Sequence, residues 1–242
     1  MKPGSFLRLF AFLLLVVSGL PAHATVLYST SIIGELTIDA LIGGIDVTQV
    51  LTQPASADTS LDPPGNGTAS ASASFNDLAD NTIRVLAATD GSALPSNDLF
   101  GTLSFASGTV GGGLLVTNTG MEPLQLIVNM DIAWSWTLLV DNPLNEMATA
   151  ALSLDLYADG QFVESLVNLV DLQANGSDSL ATTLQLDLGN PLANLAPNQS
   201  RLLSLVASTT AAATSIPVPG TLYLVLVGML GLRRFSAKNI PV

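Results

Sequence analysis

The chain has 242 residues, a formal net charge of −12 and no cysteine; its only histidine is His23, and its two lysines are Lys2 and Lys238. All 19 acidic residues lie in the central part of the chain, whose only basic residues are Arg84 and Arg201. For that part, these counts exclude disulfides, Ser-His-Asp or Cys-His catalysis, a Schiff-base lysine, and zinc or copper sites built on imidazole or thiolate. They also exclude nucleic acid as a partner, because binding phosphates requires Lys and Arg.

The first 24 residues have the three-part pattern of a secretory signal. Lys2 and Arg8 precede the apolar run Phe10–Val17, and Ala22 and Ala24 form a small-x-small cleavage site. The run is shorter than the ~20 residues that a spanning helix needs, which disfavours the alternative of a retained signal anchor. We therefore predict export through the Sec machinery and cleavage after Ala24.

The segment that follows is rich in β-forming residues. Val26–Val50 predicts two or three strands. Thr52–Ser74 holds almost no large apolar side chain, and its Pro, Ser, Asp and Gly content predicts a long loop. Phe75–Asp80 is ambiguous and fits one helical turn before a strand over Thr82–Ala88, and Asp90-Gly91 predicts a turn.

Alternating apolar and polar residues continue to the end of the central part. Residues 208–215 are small and predict a tether, so that the folded domain spans 25–207. The pattern favours an all-β antiparallel β-sandwich, immunoglobulin-like or jelly-roll-like. The further strands are predicted at Thr102–Phe105, Gly113–Asn118, Leu124–Val140, Leu152–Leu156, Leu184–Leu188 and Arg201–Ala207.

Trp134 and Trp136 are two residues apart on a predicted strand, so their rings project from one face. Such a pair could stack on sugar rings as a carbohydrate contact. Ile132 and Leu138 share the same parity, however, and this stripe is the one expected to face the core. We favour core packing and keep the sugar platform as the alternative.

Carboxylates are the remaining candidate ligands and catalysts. Asp155–Gly160 begins like a calcium loop, but Tyr157 and Leu166 stand where that loop needs oxygen ligands, so an Asp-Gly hairpin turn explains it better. No spacing selects a pair of acids for glycoside hydrolysis, so we predict no enzyme and no cofactor. Calcium remains an alternative for the scattered acids Asp58, Asp62, Asp77, Asp80, Asp90 and Asp98.

Residues 216–242 contain three parts in order. At ~1.5 Å per residue, the apolar stretch over residues 221–232 covers about 18 Å. It crosses a ~30 Å hydrocarbon core only if the residues before it also lie in the membrane. The positive-inside rule keeps its basic end cytoplasmic. The parts are the motif Pro217-Val218-Pro219-Gly220, the predicted transmembrane helix 221–232, and the stop-transfer segment 233–238 with Arg233 and Arg234.

This arrangement resembles a PEP-CTERM sorting tail. The resemblance implies that an exosortase-like membrane enzyme cuts near the motif and passes the protein outward. Val218 stands where the family usually has Glu between the two prolines, which is a departure from the pattern. The alternative is a permanent membrane anchor that is never cut.

Together these features predict an exported, non-catalytic protein. It would reside transiently in the inner membrane and then at the cell surface or in the extracellular matrix, associated with biofilm or exopolysaccharide. The alternatives are a carbohydrate-binding module that uses Trp134 and Trp136, a carboxylate-only hydrolase, and a permanently anchored surface protein.

Overall fold

The computed structural model describes residues 25–40, 44–62, 64, 67–79, 81–94, 101–141, 143, 146–173, 175–186 and 193–216. These residues form strands and turns, and the described ranges contain no α-helix. Accordingly, no helix that is long and apolar enough to cross a bilayer occurs among them. The predicted signal peptide and sorting tail, apart from Ile216, lie outside the described residues.

Eleven strands occur in the described residues. They are 11 to 18 residues long, except for β10, and so are much longer than the usual five or six residues. In chain order they are β1 (Val26–Ala40), β2 (Ile45–Asp62), β3 (Gly67–Ala79), β4 (Thr82–Ala93), β5 (Thr102–Asn118), β6 (Leu124–Leu139), β7 (Glu146–Ala158), β8 (Gln161–Gln173), β9 (Gly176–Leu186), β10 (Asn194–Leu195) and β11 (Ser200–Ser215).

The strands form two antiparallel sheets, as the all-β prediction requires. The first sheet has the order β10-β6-β1-β4-β3, and β9 pairs with β6 on the same edge as β10. The second has the order β2-β5-β11-β7-β8. Strands β3 and β4 pair as neighbours, as do β7 and β8, whereas most other connections pass from one sheet to the other.

The two sheets pack face to face over an apolar core. Alternate residues of each inner strand are buried, as in β7, where Leu152, Leu154 and Leu156 point inward. The sheets approach closely at Gly34, where an added Cβ would lie 2.8 Å from Leu154 Cδ1 of the opposite sheet. Since the chain has no cysteine, this burial carries the stability without disulfides.

The predicted long loop over Thr52–Ser74 is wrong. Strand β2 continues to Asp62 and β3 starts at Gly67. Two edge strands of small residues form here because their neighbours supply the hydrogen bonds, and Pro54 lies within the register shifts of β2, where a proline is tolerated. The alternative of a helical turn after Ser74 is also wrong, since β3 continues through Phe75.

The predicted turn at Asp90-Gly91 is wrong as well, because both residues lie inside β4. Glycine has another use there. A Cβ on Gly91 would lie 2.4 Å from the Tyr28 hydroxyl oxygen and 2.6 Å from the Thr68 carbonyl oxygen. The glycine therefore makes room for a buried tyrosine rather than reversing the chain.

The predicted tether over residues 208–215 is wrong too. These residues are the second half of β11, a central strand paired with β5 on one side and β7 on the other. Ala211 and Ala213 are buried against Tyr28 and Leu138 of the first sheet. Small side chains are needed where the two sheets approach each other closely. A buried strand can therefore have the small-residue composition that is typical of a tether. The folded unit extends to Ser215.

The start of β1 and the end of β11 lie at the same end of the sandwich, which we call the proximal end. The start of β1 pairs with the ends of β4 and β6, through Val26↔Ala93 and Leu27↔Leu139. The end of β11 at Ser215 pairs with the starts of β5 and β7. One apolar cluster joins these strand ends across the two sheets: Val26, Tyr28, Ala93, Ala106, Leu138, Val140, Ala148, Ala150, Ala211 and Ala213.

Candidate functional site on the outer face of the first sheet

A groove of about 640 Å³ crosses the outer face of the first sheet. It runs over β4, β1, β6 and β9, and we call it the outer-face groove. Most of its lining comes from side chains that the strand alternation turns away from the core. The outward side chains that line it are those of Ile33, Glu35, Arg84, Asp131, Ala133, Ala181 and Thr183.

One row of the groove is polar and continuous across four strands. Glu35 is in register with Arg84 on one side and Asp131 on the other, and Asp131 is in register with Thr183. Arg84 donates two hydrogen bonds to Glu35 Oε2, from Nε at 3.1 Å and from Nη2 at 2.7 Å. Thr183 Oγ1 donates to Asp131 Oδ1. Four neighbouring strands thus present a guanidinium, two carboxylates and a hydroxyl in line.

The next row along the strands is apolar. Leu86, Ile33, Ala133 and Ala181 follow one another in register across the same four strands. Two of the four are alanines, so this strip is low beside the longer polar side chains.

A third row follows on the same face. It is made of small residues, and three of the four carry a hydroxyl group. Ser31 is in register with Ala88 and Ser135, and Ser135 with Ser179. The apolar strip therefore lies between two rows of hydrogen-bonding side chains, so this part of the surface is amphipathic.

The charges of the groove do not cancel. Glu35 and Asp131 lie directly opposite each other, an arrangement that is unfavourable unless a cation or donor offsets it. Arg84 does so for Glu35, although its side chain is 42% exposed and the ion pair therefore adds little stability. One positive and two negative side chains leave the row with a net charge of −1.

The two tryptophans singled out from the sequence lie on the opposite face of β6. Trp134 and Trp136 are partly buried and pack against the core with the parity of Ile132 and Leu138. A Cβ on Gly176 would lie 2.5 Å from the Trp136 ring, so β9 passes directly beside that ring. The structure does not bring these tryptophans together with the groove.

The Asp-Gly hairpin turn predicted between β7 and β8 is confirmed. Asp159 and Gly160 have φ values of 51° and 77°, as a two-residue primed turn requires. The Asp159 carboxylate accepts a hydrogen bond from Leu202 N at 2.9 Å and pairs with Arg201 at 3.2 Å. It therefore anchors the turn to β11.

The acids proposed as calcium ligands are dispersed over separate strands. Asp58 and Asp62 lie on β2, Asp77 on β3 and Asp90 on β4, while the other two, at positions 80 and 98, lie outside the described residues. Within the described ranges no group of three or more acidic or histidine side chains is placed to hold a metal ion.

The groove residues were missed from the sequence. Glu35, Arg84 and Asp131 are far apart in the chain, and only the strand register brings them together. One signal was present: Arg84 is one of only two basic residues in the central part of the chain, and a lone cation among many acids needs a partner.

The residues predicted to direct export and sorting lie outside the described residues. They are Ala22, Ala24, Pro217, Val218, Pro219, Gly220, Arg233 and Arg234. No protein-family model matches the chain, and no curated protein sequence matches it either.

Proposed function

We propose that the chain is an exported, non-catalytic surface or extracellular-matrix protein whose C-terminal tail is processed by an exosortase-like enzyme. The observation that carries the proposal is the position of the two described chain ends. Thr25 and Ile216 adjoin the predicted signal peptide and the predicted sorting motif, and both lie at the proximal end of the sandwich.

This position suits a domain that is handled at a membrane. Ile216 is 58% exposed and directly follows a central strand. The predicted transmembrane helix begins five residues later, at Thr221. At ~3.3 Å per residue these five residues reach about 17 Å, so the proximal end would face the bilayer. Because the other end of the chain leaves from the same side, neither predicted membrane segment has to pass around the domain.

The proposal that the protein is non-catalytic is supported by the hydrogen-bond partners of the two acids in the groove. Glu35 is held by Arg84 and Asp131 by Thr183, an arrangement that suits recognition more than proton transfer. The sandwich itself, which we propose to be immunoglobulin-like or jelly-roll-like in its connections, encloses an apolar core, and the chain has no cysteine for a disulfide. A matrix role also fits the excess of acidic side chains, which keeps an exported protein soluble.

The tail is tested by mutating its prolines in a host that processes such proteins. We expect the wild-type chain to lose its tail and reach the surface or the medium. The double variant Pro217→Ala/Pro219→Ala should stay in the inner membrane at full length, because both residues that keep the motif extended are gone. Pro123→Ala, in the exposed loop between β5 and β6, is the matched control and should behave like wild type.

Fractionation followed by mass measurement of the C-terminal peptide distinguishes the outcomes. A wild-type protein that keeps Arg233 and Arg234 in the membrane would contradict processing and support the permanent anchor. Equal processing of the wild-type chain and the double proline variant would remove the motif from the proposal.

A further inference from the structure

We propose that the outer-face groove binds a segment of a neutral polysaccharide. This inference concerns a binding site on the folded domain and does not depend on how the tail is processed. It rests on the order of the three rows and on the charge of the polar one.

The rows match the two-sided chemistry of a sugar chain. A pyranose ring has apolar C–H faces and a rim of hydroxyl groups. On this outer face, the apolar strip around Ile33 and Ala133 lies between the charged row, which lines the groove, and the row of Ser31 and Ser135 beside it. Rows on one face are ~7 Å apart along the strand, so a ring on the strip reaches hydrogen-bonding groups on both sides.

The polar row has unused hydrogen-bonding capacity. Both bonds from Arg84 end on Oε2 of Glu35, and the Thr183 bond ends on Oδ1 of Asp131. With respect to the described residues, Glu35 Oε1 and Asp131 Oδ2 therefore stay available as acceptors, and Arg84 Nη1 as a donor. Carboxylate and guanidinium groups form the stronger, charge-assisted hydrogen bonds, and sugar hydroxyls both donate and accept.

The length of the row favours a polymer over a single sugar. Four strands span three inter-strand spacings of ~4.8 Å, so the row is about 14 Å long. The described residues that line the groove all belong to strands, and none belongs to a loop. A chain lying across the strands would contact Arg84, Asp131 and Thr183 together.

The charge of the site selects a neutral glycan. The polar row has a net charge of −1, and the chain as a whole has −12. A polyuronate would be repelled by both. Arg84 already neutralises Glu35, so the row is not a strong cation site either.

Affinity electrophoresis of the full chain tests the proposal. The protein is kept in a polyoxyethylene detergent, whose head group contains no sugar, and is run through gels containing dextran, laminarin or hydroxyethylcellulose. Alginate serves as the anionic polymer and chitosan as the cationic one. We expect at least one neutral polymer to retard the wild-type protein.

Two groove variants and two matched controls test whether the polysaccharide binds in the groove. Asp131→Asn removes a charged acceptor and Ala133→Gln fills the apolar strip. Asp131→Asn should weaken binding by about tenfold or more, the loss expected for one hydrogen bond to a charged group. Ala133→Gln should also weaken binding, because its side chain occupies the space where the sugar ring would lie. Asp155→Asn and Ala151→Gln make the same changes on the outer face of the second sheet and should bind like wild type. Thermal unfolding checks that every variant is folded.

Several results would overturn the inference. They are retardation by no neutral polymer, retardation by alginate or chitosan alone, and undiminished binding in both folded groove variants. None of these results bears on where the tail is cut, so failure of the glycan site and failure of the sorting proposal remain distinguishable.

Discussion

The packing of the two sheets is tested most sharply at Gly112. This residue lies inward on β5, and a Cβ built on it would lie 2.2 Å from Cδ2 and 2.3 Å from Cε2 of Phe75, which projects from β3 of the opposite sheet. Ordinary carbon contacts are ~3.5–4.0 Å, so Gly112→Ala forces the ring to move by more than 1 Å. Such overpacking costs about 1–3 kcal/mol.

Two further effects set the expected change in the free energy of unfolding. Replacing glycine lowers the entropy of the unfolded chain and returns about 0.5–1 kcal/mol, so the net loss for Gly112→Ala is about 1–2 kcal/mol. In a Phe75→Ala background the clash is absent, and the same change should be neutral or slightly stabilising. The coupling between the two positions is therefore about 2 kcal/mol.

Urea unfolding of residues 25–216, followed by the fluorescence of Trp134 and Trp136, measures all four proteins of this cycle. With a slope near ~2 kcal/mol per molar urea, Gly112→Ala alone should lower the midpoint by about 0.7 M. A midpoint that falls equally in both backgrounds would contradict the contact between Gly112 and Phe75. Phe75 would then not cover Gly112, and β3 would not pack across the sandwich on β5.

Three other predictions concern buried polar groups. Asn118 is 2% exposed and makes three side-chain hydrogen bonds of 2.8 to 2.9 Å with backbone groups, so Asn118→Ala should cost about 2–4 kcal/mol in urea unfolding. Thr30 and Thr89 share a buried hydroxyl hydrogen bond of 2.6 Å; either Thr→Val change should cost about 1–3 kcal/mol, and the double change less than the sum. Burial, more than its contact with Ser104, sets the pKa of the Tyr28 phenol and raises it above the ordinary 10.0. Since the unfolded chain then releases this proton first, the contribution of Tyr28 to the free energy of unfolding should be constant below pH ~10 and fall above it, and Tyr28→Phe should flatten that fall.

Each of these predictions has a clear contrary result. A loss below ~1 kcal/mol for Asn118→Ala would mean that water replaces its contacts. Strict additivity of the two threonine changes would show that their hydroxyls do not pair. An alkaline decline that is identical in wild type and Tyr28→Phe would assign it to other groups.

Sequence patterning gave reliable strands where large apolar residues alternate with polar ones. The prediction of Leu152–Leu156 is confirmed inside β7, and the Asp159-Gly160 turn is confirmed after it. It failed where the inward residues are small. In β3 the inward side chains include Ala71 and Ala73, and alternation of Ala with Ser carries almost no contrast in hydropathy.

The second half of β11 was misread for the same reason, because Ala211 and Ala213 look like a flexible tether until the neighbouring strands are in place. The groove could not be predicted from the sequence for a different reason. The Glu35, Arg84 and Asp131 side chains meet through register between strands that are distant in the chain, and a shift of one residue would turn each of them to the other face.

The proposed function requires that the chain is exported and trimmed at both ends, with the sandwich left intact. Mass spectrometry of both termini, on protein recovered from its native cells by fraction, tests this most directly. We expect a surface or medium form that begins at Thr25 and ends within Pro217–Gly220. Full-length protein free in the cytosol, with Lys2 and Arg234 both retained, would contradict it.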